Sequence, residues 1–478
     1  MNRTNYLMKN TAILFISNFA SKMLVFFLLP LYTSVLTTTE YGISDLINTT
    51  VHILYIFLTL YVANGILRFS MNKACDHNEM LSIGVYITIL SSVIVAVGSG
   101  IAFAANLFSS MNPYYGYLIV IYLFHCLSSV LNAFSKGKER ILLIGVAGIV
   151  STAVGVTSNI LLLVVFPLGI HGFLLSAVFS YVSSCIVYVA GGLLKGAKLK
   201  KPDIEEVKKV VRYSAPIAAT EVGWLICTSS DLYIVSWLLG ASSTGIISAA
   251  HRLPTILTAF TSVFIQAWTL SAIKESGNDD RSAYYTKMFN YYSAFAISIG
   301  AILILSSKLI GSFLFRGEFQ IAWVYTPIYL TALVINTQSS FSGSIISAGT
   351  DTKPLFTSTI AGAILNLVLD VVLIKFMGLF GAGVATAVSY ILIGILRMRT
   401  VKKEFDLRID YKRMVCSIVV LCFLTATMIF ADYTIFYIVS ALLTVLIICI
   451  YRNMLVEIVN MLSNFIKNIT RKKLKQKN

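Results

Sequence analysis

The chain has 478 residues, 57% of them hydrophobic and only 12% charged, with a formal net charge of +16 at pH 7. A soluble globular domain carries roughly 25% charged residues, so this composition excludes one. Apolar runs of about twenty residues without strict alternation also exclude a membrane β-barrel and require helices, because backbone polar groups in lipid must be satisfied within the segment.

Fourteen such runs follow in chain order: 10–36, 41–67, 81–104, 114–134, 141–166, 169–193, 213–238, 244–271, 288–311, 322–347, 354–376, 379–398, 414–431 and 434–456. The first is too long for a signal-peptide core and is expected to remain as span 1. Two polar stretches, 195–212 and 399–413, read as surface helix or loop. The seven cysteines form no CxxC pair and sit mostly inside apolar runs, so they read as small apolar fillers without disulfide or metal roles.

Charge placement tests the count. With the N-terminus inside, alternate connections become cytoplasmic and hold 32 of the 37 Lys and Arg residues. The external ones hold three, Lys308, Arg316 and Lys375. This bias predicts a multi-pass protein with both termini cytoplasmic and accounts for the net charge without a nucleic-acid partner. The basic tail after 458 is placed to touch anionic headgroups.

The chain repeats itself. Leu36 to Gly42, between spans 1 and 2, matches Leu239 to Gly245, between spans 7 and 8. Gly155 and Asn159 echo Gly362 and Asn366, and Gly169–Gly172 with Ser180-Tyr181 echoes Gly378–Gly381 with Ser389-Tyr390. Six spans repeated in one order predict an all-α integral membrane protein of 14 transmembrane helices: two parallel-repeat six-helix lobes plus two C-terminal helices. The expected divisions are an N-lobe over 1–194, a basic connector over 195–212, a C-lobe over 213–398, a cytoplasmic loop over 399–413, spans 13 and 14 over 414–457, and a basic tail over 458–478.

Two cations remain inside spans: Lys22 in span 1 and Arg252 in span 8. A charge at bilayer depth costs about 3 kcal/mol on insertion scales, so such a residue normally faces protein or a wet cavity. Arg252 lies about 12 Å along the helix from Thr244, too deep for easy snorkelling. Asn18 shares the face of Lys22; Asp45, Asn48 and His52 share a face of span 2; Glu221, Thr228 and Asp231 share one of span 7; Ser248, Arg252, Thr255, Ser262 and Gln266 stripe span 8. Polar faces in both lobes predict a cavity for an anion, with Lys22, Arg252, Asn18, His52 and Arg68 as contacts. Arg68 has an interfacial anchor as its alternative role, and ion pairing with Asp45, Glu221, Asp231 or Asp370 is the alternative for the two deep cations. Those four carboxylates are also candidates for binding a coupling proton or sodium ion, although Lys375 is placed to neutralise Asp370. His52, His125 and His251 have no metal-ligand spacing and read mainly as packed polar residues. No phosphate loop, nucleophile elbow or zinc motif appears, so neither catalysis nor a cofactor is expected.

At these residues the chain resembles a known family. Leu29-Pro30-Leu31-Tyr32 with Leu36 and Thr39-Glu40-Tyr41-Gly42, and Tyr213-Ser214-Ala215-Pro216 with Ser230-Asp231, Leu238-Leu239-Gly240, Gly245 and Ala249-Ala250-His251-Arg252, are similar to segments of bacterial polysaccharide repeat-unit flippases. These O-antigen and capsule flippases belong to the multidrug/oligosaccharidyl-lipid/polysaccharide transporter superfamily. The resemblance implies a V-shaped pair of lobes around a cationic cavity in the cytoplasmic membrane. It implies undecaprenyl-diphosphate-linked oligosaccharide as cargo, moved from inner to outer leaflet by alternating access. Polysaccharide polymerase or chain-length proteins are expected partners on the same reading. Peptidoglycan-precursor flippases, with more cavity arginines, and multidrug or metabolite antiporters, usually with twelve spans and an acidic cavity, are the alternative branches. A membrane-embedded glycosyltransferase or polymerase would need a large loop with catalytic acids, and the loops here are short and basic.

Overall fold

The computed structural model describes residues 26–72, 75–107, 109–275, 280–348, 353–430, 433–458 and 460. Among them all regular structure is helical, and eleven helices are long and apolar enough to cross a membrane. The number is twelve if Thr434–Ile450 and Arg452–Ile458, bent by 68°, form one span. These correspond to expected spans 2–7 and 9–14. Span 1 lies largely outside the described residues, and span 8 is broken.

The chain groups into two compact units: residues 1–249 with 314–319, and 250–313 with 320–478. In the first unit, α1 (Leu29–Val35) is followed by α2 (Thr38–Thr59) and α3 (Val62–Ser70). A capping box starts α2: Glu40 N donates to Thr37 Oγ1 at 3.2 Å, and Thr37 N donates to Glu40 Oε2 at 2.9 Å. The expected continuous span 2 is instead interrupted between α2 and α3. Leu60 and Tyr61 both adopt left-handed backbone, with φ of 48° and 53°. Side-chain residues there cost about 1–2 kcal/mol each, so the surrounding packing must enforce this kink.

Four long helices follow: α4 (His77–Ala104), α5 (Tyr115–Gly137), α6 (Ile141–Ile160) and α7 (Gly169–Ala190). Leu90, Val93, Val97 and Ile101 make an exposed apolar stripe along α4, the face expected to meet lipid. Next comes α8 (Ile204–Leu239), a continuous 36-residue helix capped by Asp203. It runs nine residues earlier than the expected span 7, so half of the stretch 195–212 is helix beyond the apolar segment. The rest of that connector is pinned to the start of α4. Lys198 N donates to Asn78 Oδ1 (3.2 Å) and Lys200 N to Ser82 Oγ (3.0 Å). Lys200 Nζ reaches Asp76 at 2.8 Å and Glu79 at 2.5 Å.

α8 packs within the first unit although the sequence repeat makes it the first span of the second lobe. Gly65 N donates to Ser214 Oγ at 3.0 Å, and Thr50 Oγ1 meets the Tyr233 hydroxyl at 2.8 Å. The short helix α9 (Ala241–Ala250) starts against α2. A Cβ on Gly42 would collide with Ala241 O, and one on Gly245 with Thr38 O. The glycines of the Leu-to-Gly repeat are therefore the points where the two copies of the motif cross. Thr38 Oγ1 also donates to Glu318 Oε2 at 2.8 Å and meets Ser242 Oγ at 2.8 Å, and Thr33 Oγ1 donates to Leu314 O at 2.8 Å. These bonds explain why 314–319 groups with the first unit.

In the second unit the rest of span 8 is α10 (Pro254–Glu275), followed by α11 (Arg281–Leu305) and α12 (Ser307–Leu314), whose last residue groups with the first unit. Then come α13 (Ala322–Ala348), α14 (Lys353–Met377) and α15 (Leu379–Phe405). Finally α16 (Tyr411–Ile429) and α17 (Thr434–Ile450) supply expected spans 13 and 14. Trp268, Tyr285, Phe289, Tyr292 and Phe341 form an aromatic core. Arg397 is buried among α13, α14 and α15, donating to Ser358 Oγ (3.1 Å), Thr359 Oγ1 (2.9 Å) and Ser339 O (3.3 Å).

Candidate functional site

A cavity of about 500 Å³ lies inside the first unit. Its walls come from α2, α3, α5, α7 and α8. His52 and Tyr55 from α2 are followed by Tyr61 at the kink and Asn64 on α3. The kink thus does local work: without it, α2 and α3 would continue straight and Tyr61 would point elsewhere. Ser128, Ser129, Asn132 and Lys136 line the α5 side, Tyr181 comes from α7, and Glu221 and Trp224 come from α8.

His125 is a buried polar group of this wall, 8% exposed. Three rings meet it edge-on: His52 at 4.7 Å between centroids, Tyr55 at 4.9 Å and Tyr181 at 5.0 Å. Among the described residues neither of its ring nitrogens has a hydrogen-bond partner. Around it the polar groups are partly pre-oriented. Asn132 Nδ2 donates to the Tyr188 hydroxyl at 2.8 Å, which leaves its carbonyl oxygen as an acceptor, and Ser128 Oγ meets Ser184 Oγ at 3.0 Å. The charged side chains of the lining are Glu221 and Lys136, one of each sign.

The structure brings two of the predicted residues together, His52 and Glu221. Asp45 lies two turns before His52 on α2, half-buried. Asp231 is 3% exposed on α8, and one of its oxygens accepts from Leu232 N at 2.9 Å. Arg68 is exposed in the last turn of α3 and does not line the cavity. Asp370 is fully buried in α14 whereas Lys375 is exposed, so burial rather than a surface position characterises that carboxylate. Lys22 and Asn18 lie outside the described residues.

Arg252 is not inside a continuous helix. It occupies a turn, 251–253, between α9 and α10. Pro254 explains the break: it donates no backbone N–H, disfavours helical geometry in Leu253, and is well suited to start the next helix. The Arg252 carbonyl accepts from Thr255 N (3.2 Å) and Thr255 Oγ1 (2.6 Å), an N-terminal turn closed by the threonine. Spans 2 and 8, equivalent in the repeat, are thus both interrupted, after 22 and 10 helical residues.

Sequence reasoning missed most of the cavity wall. The signal was present in span 4, where His125, Ser128, Ser129, Asn132 and Lys136 fall on one helical face. Tyr55, Tyr61, Tyr181 and Trp224 carried no such signal, since aromatic residues in apolar helices look like packing. Arg397 was also missed: it stands at the edge of a basic run and counts there as a loop cation.

Comparison with known proteins places this geometry. A family described as polysaccharide biosynthesis protein matches residues 7–270. A probable low-salt glycan biosynthesis flippase, Agl15, of Haloferax volcanii is 24% identical over 246 residues, and the match spans about half of each chain, 50% of this one and 51% of the relative. An inward-facing multidrug resistance MATE family transporter of the MOP superfamily shares the fold with a TM-score of 0.69 at 13% identity, covering 82% of this chain and 94% of that one. The lipid II flippase MurJ in an inward closed conformation shares it with a TM-score of 0.67 at 14% identity, covering 93% of this chain and all of that one.

Proposed function

The chain belongs to the polysaccharide biosynthesis protein family, and from that premise we propose that it is a flippase for lipid-linked oligosaccharide. The cargo is a glycan carried on undecaprenyl diphosphate, moved from the inner to the outer leaflet of a bacterial cytoplasmic membrane for O-antigen or capsule assembly. On this reading both termini face the cytoplasm, which the distribution of Lys and Arg supports. The likeness to a drug transporter and to a lipid II flippase concerns the fold and does not choose the cargo.

One observation carries the reading: a guanidinium, Arg252, placed at a break in a membrane helix. Breaks expose backbone groups that need partners, and membrane proteins tolerate them where they line a cavity or a binding site. A diphosphate crossing the bilayer needs charge-assisted hydrogen bonds, which Arg252 and Lys22 supply. The polyprenyl tail stays in lipid. Asp45, Glu221, Asp231 and Asp370 are the proposed positions for a coupling proton or sodium ion.

The test replaces Lys22 and Arg252 singly by alanine in a strain deleted for the native gene. Each variant is expected to reach the membrane at the wild-type level, abolish surface polysaccharide and leave the lipid-linked precursor accumulating inside. Normal surface polysaccharide in both variants would remove the cationic contribution.

A further inference from the structure

We propose that the cavity of the first unit is a saccharide subsite: it takes a sugar ring of the cargo, while the diphosphate is left to Lys22 and Arg252. The inference rests on the flippase reading and assigns a separate place to the glycan. Its volume, about 500 Å³, lies within the range of about 300–1,000 Å³ usual for small-molecule sites.

The chemistry of the wall decides between sugar and phosphate. A diphosphate attracts several cations and bidentate arginines. This wall holds one ammonium, Lys136, offset by one carboxylate, Glu221, and no arginine. Instead it holds phenol and indole rings, with Tyr181 and Trp224 both half-buried and open to the space. Aromatic faces are electron-rich and meet the weakly positive C–H face of a pyranose. Between the rings stand neutral donors and acceptors, as a ring of hydroxyls requires.

His125 supplies the second, independent observation. It is buried, lines the cavity, and among the described residues neither ring nitrogen has a hydrogen-bond partner. Leaving a buried polar group unpaired costs about 1–3 kcal/mol, a cost that a ligand hydroxyl relieves once the surrounding rings shift to admit it. The kinked backbone at Leu60 and Tyr61 is a third sign, since strain of this kind persists where packing or binding enforces it.

The test uses the full chain in lipid nanodiscs and four short-prenyl diphosphates: bare, glucosylated, galactosylated and N-acetylglucosaminylated. In the wild type at least one glycosylated carrier is expected to bind about tenfold more tightly than the bare one. Tyr181→Ala and Trp224→Ala should bring that preference below about threefold while holding affinity for the bare carrier within about twofold of wild type. Tyr181→Phe, which keeps the ring, should retain the preference. Where an alanine variant fails to fold, Tyr181→Leu and Trp224→Leu keep most of the volume and lose the aromatic face. The subsite is overturned if sugar adds nothing for all three carriers, or if losing the rings weakens bare and glycosylated carriers alike. It is equally overturned if Glu221→Gln abolishes the preference while the ring variants keep it, which would assign the cavity to an ion. Failure of the bare carrier to bind wild type strikes the flippase reading itself.

Discussion

The two ends of the first unit share α2 and are built by opposite means. At the end expected to face outside, α2 and α9 cross with glycine against backbone, and Thr38, Ser242 and Glu318 tie the crossing with short hydrogen bonds. Further along α2, from His52 onward, the side chains are large and polar or aromatic, and they stand around a cavity. Closure here is made with small residues and no spare volume; at the other end large rings meet edge-on and still leave a cavity beside them. A helix pair in lipid gains little from apolar burial, so close backbone approach and hydrogen bonds are what hold it. The sealed end has both, and the open end leaves room for a ligand.

The largest effect is expected where the seal is broken. A side chain on Gly245 has nowhere to go, because the obstacle is the backbone of Thr38. Gly245→Val should yield no stable protein in detergent. Gly42→Ala, which meets Ala241 O, should survive at a cost of about 2–3 kcal/mol. That corresponds to a fall on the order of 5–10 °C in the thermal unfolding midpoint. An unchanged midpoint in both variants would mean that the crossing is looser than its geometry says.

The open end has a fastening of its own, made of charges at the surface. The ends of α3 and α5 meet where Gly137 faces Ser70, and nearby the connector is clasped by Lys200 on Asp76 and Glu79. The hydrogen bond from Lys200 to Asp76, followed by that to Glu79, raises the Lys200 pKa above the usual 10.5, and the same bond to Lys200 lowers that of Asp76 below 3.8. The signs fix a window. Asp76 contributes above pH 3.8 and loses that contribution as pH falls through its depressed pKa. Lys200 contributes below pH 10.5 and loses its contribution as pH rises through its elevated one. After correction for intrinsic rates, hydrogen-exchange protection at the amides of Lys198 and Lys200 should hold between pH 3.8 and 10.5 and fade outside it. Glu79→Gln, which removes the buried carboxylate that holds Lys200 and accepts from Asp203 N, should speed their exchange about threefold to tenfold at pH 7. Exchange as fast in the wild type as in the variant would show a connector that is not fastened.

The contrast also marks what the sequence could convey. Helical class, most of the spans and the glycines at which the repeated motif crosses were legible because they are written as runs, periods and glycine spacing. The cavity was legible only in part. His52 and Glu221 stood out because charge and imidazole are rare in lipid, whereas Tyr181 and Trp224 look like packing in apolar helices, and Tyr61 joins the wall at a kink of two non-glycine positions that no propensity announces. The break beside Arg252 had its signal in Pro254, which reads either as a kink or as a stop. Arg397 shows the reverse error: a basic residue near a span end looks like topology, yet here it is buried on the hydroxyls of Ser358 and Thr359. Continuity of α8 past the apolar run has the same lesson, since a membrane boundary does not end a helix whose next residues also favour one.

The smallest expected effect is the most discriminating. Leu60 holds a left-handed backbone, which costs a side-chain residue about 1–2 kcal/mol. Leu60→Gly releases that cost and adds about 0.5–1 kcal/mol for the freer unfolded chain. The two nearly cancel, so the unfolding midpoint should move by less than about 3 °C. Leu58→Gly, two residues earlier in ordinary helix, gains no such relief and leaves a gap in the packing, at about 2–4 kcal/mol. At Gly42 a single added methyl group is costly, and at Leu60 the loss of a whole side chain is nearly free. If Leu60→Gly proves as damaging as Leu58→Gly, the kink is not strained, and the cavity is held open by packing alone.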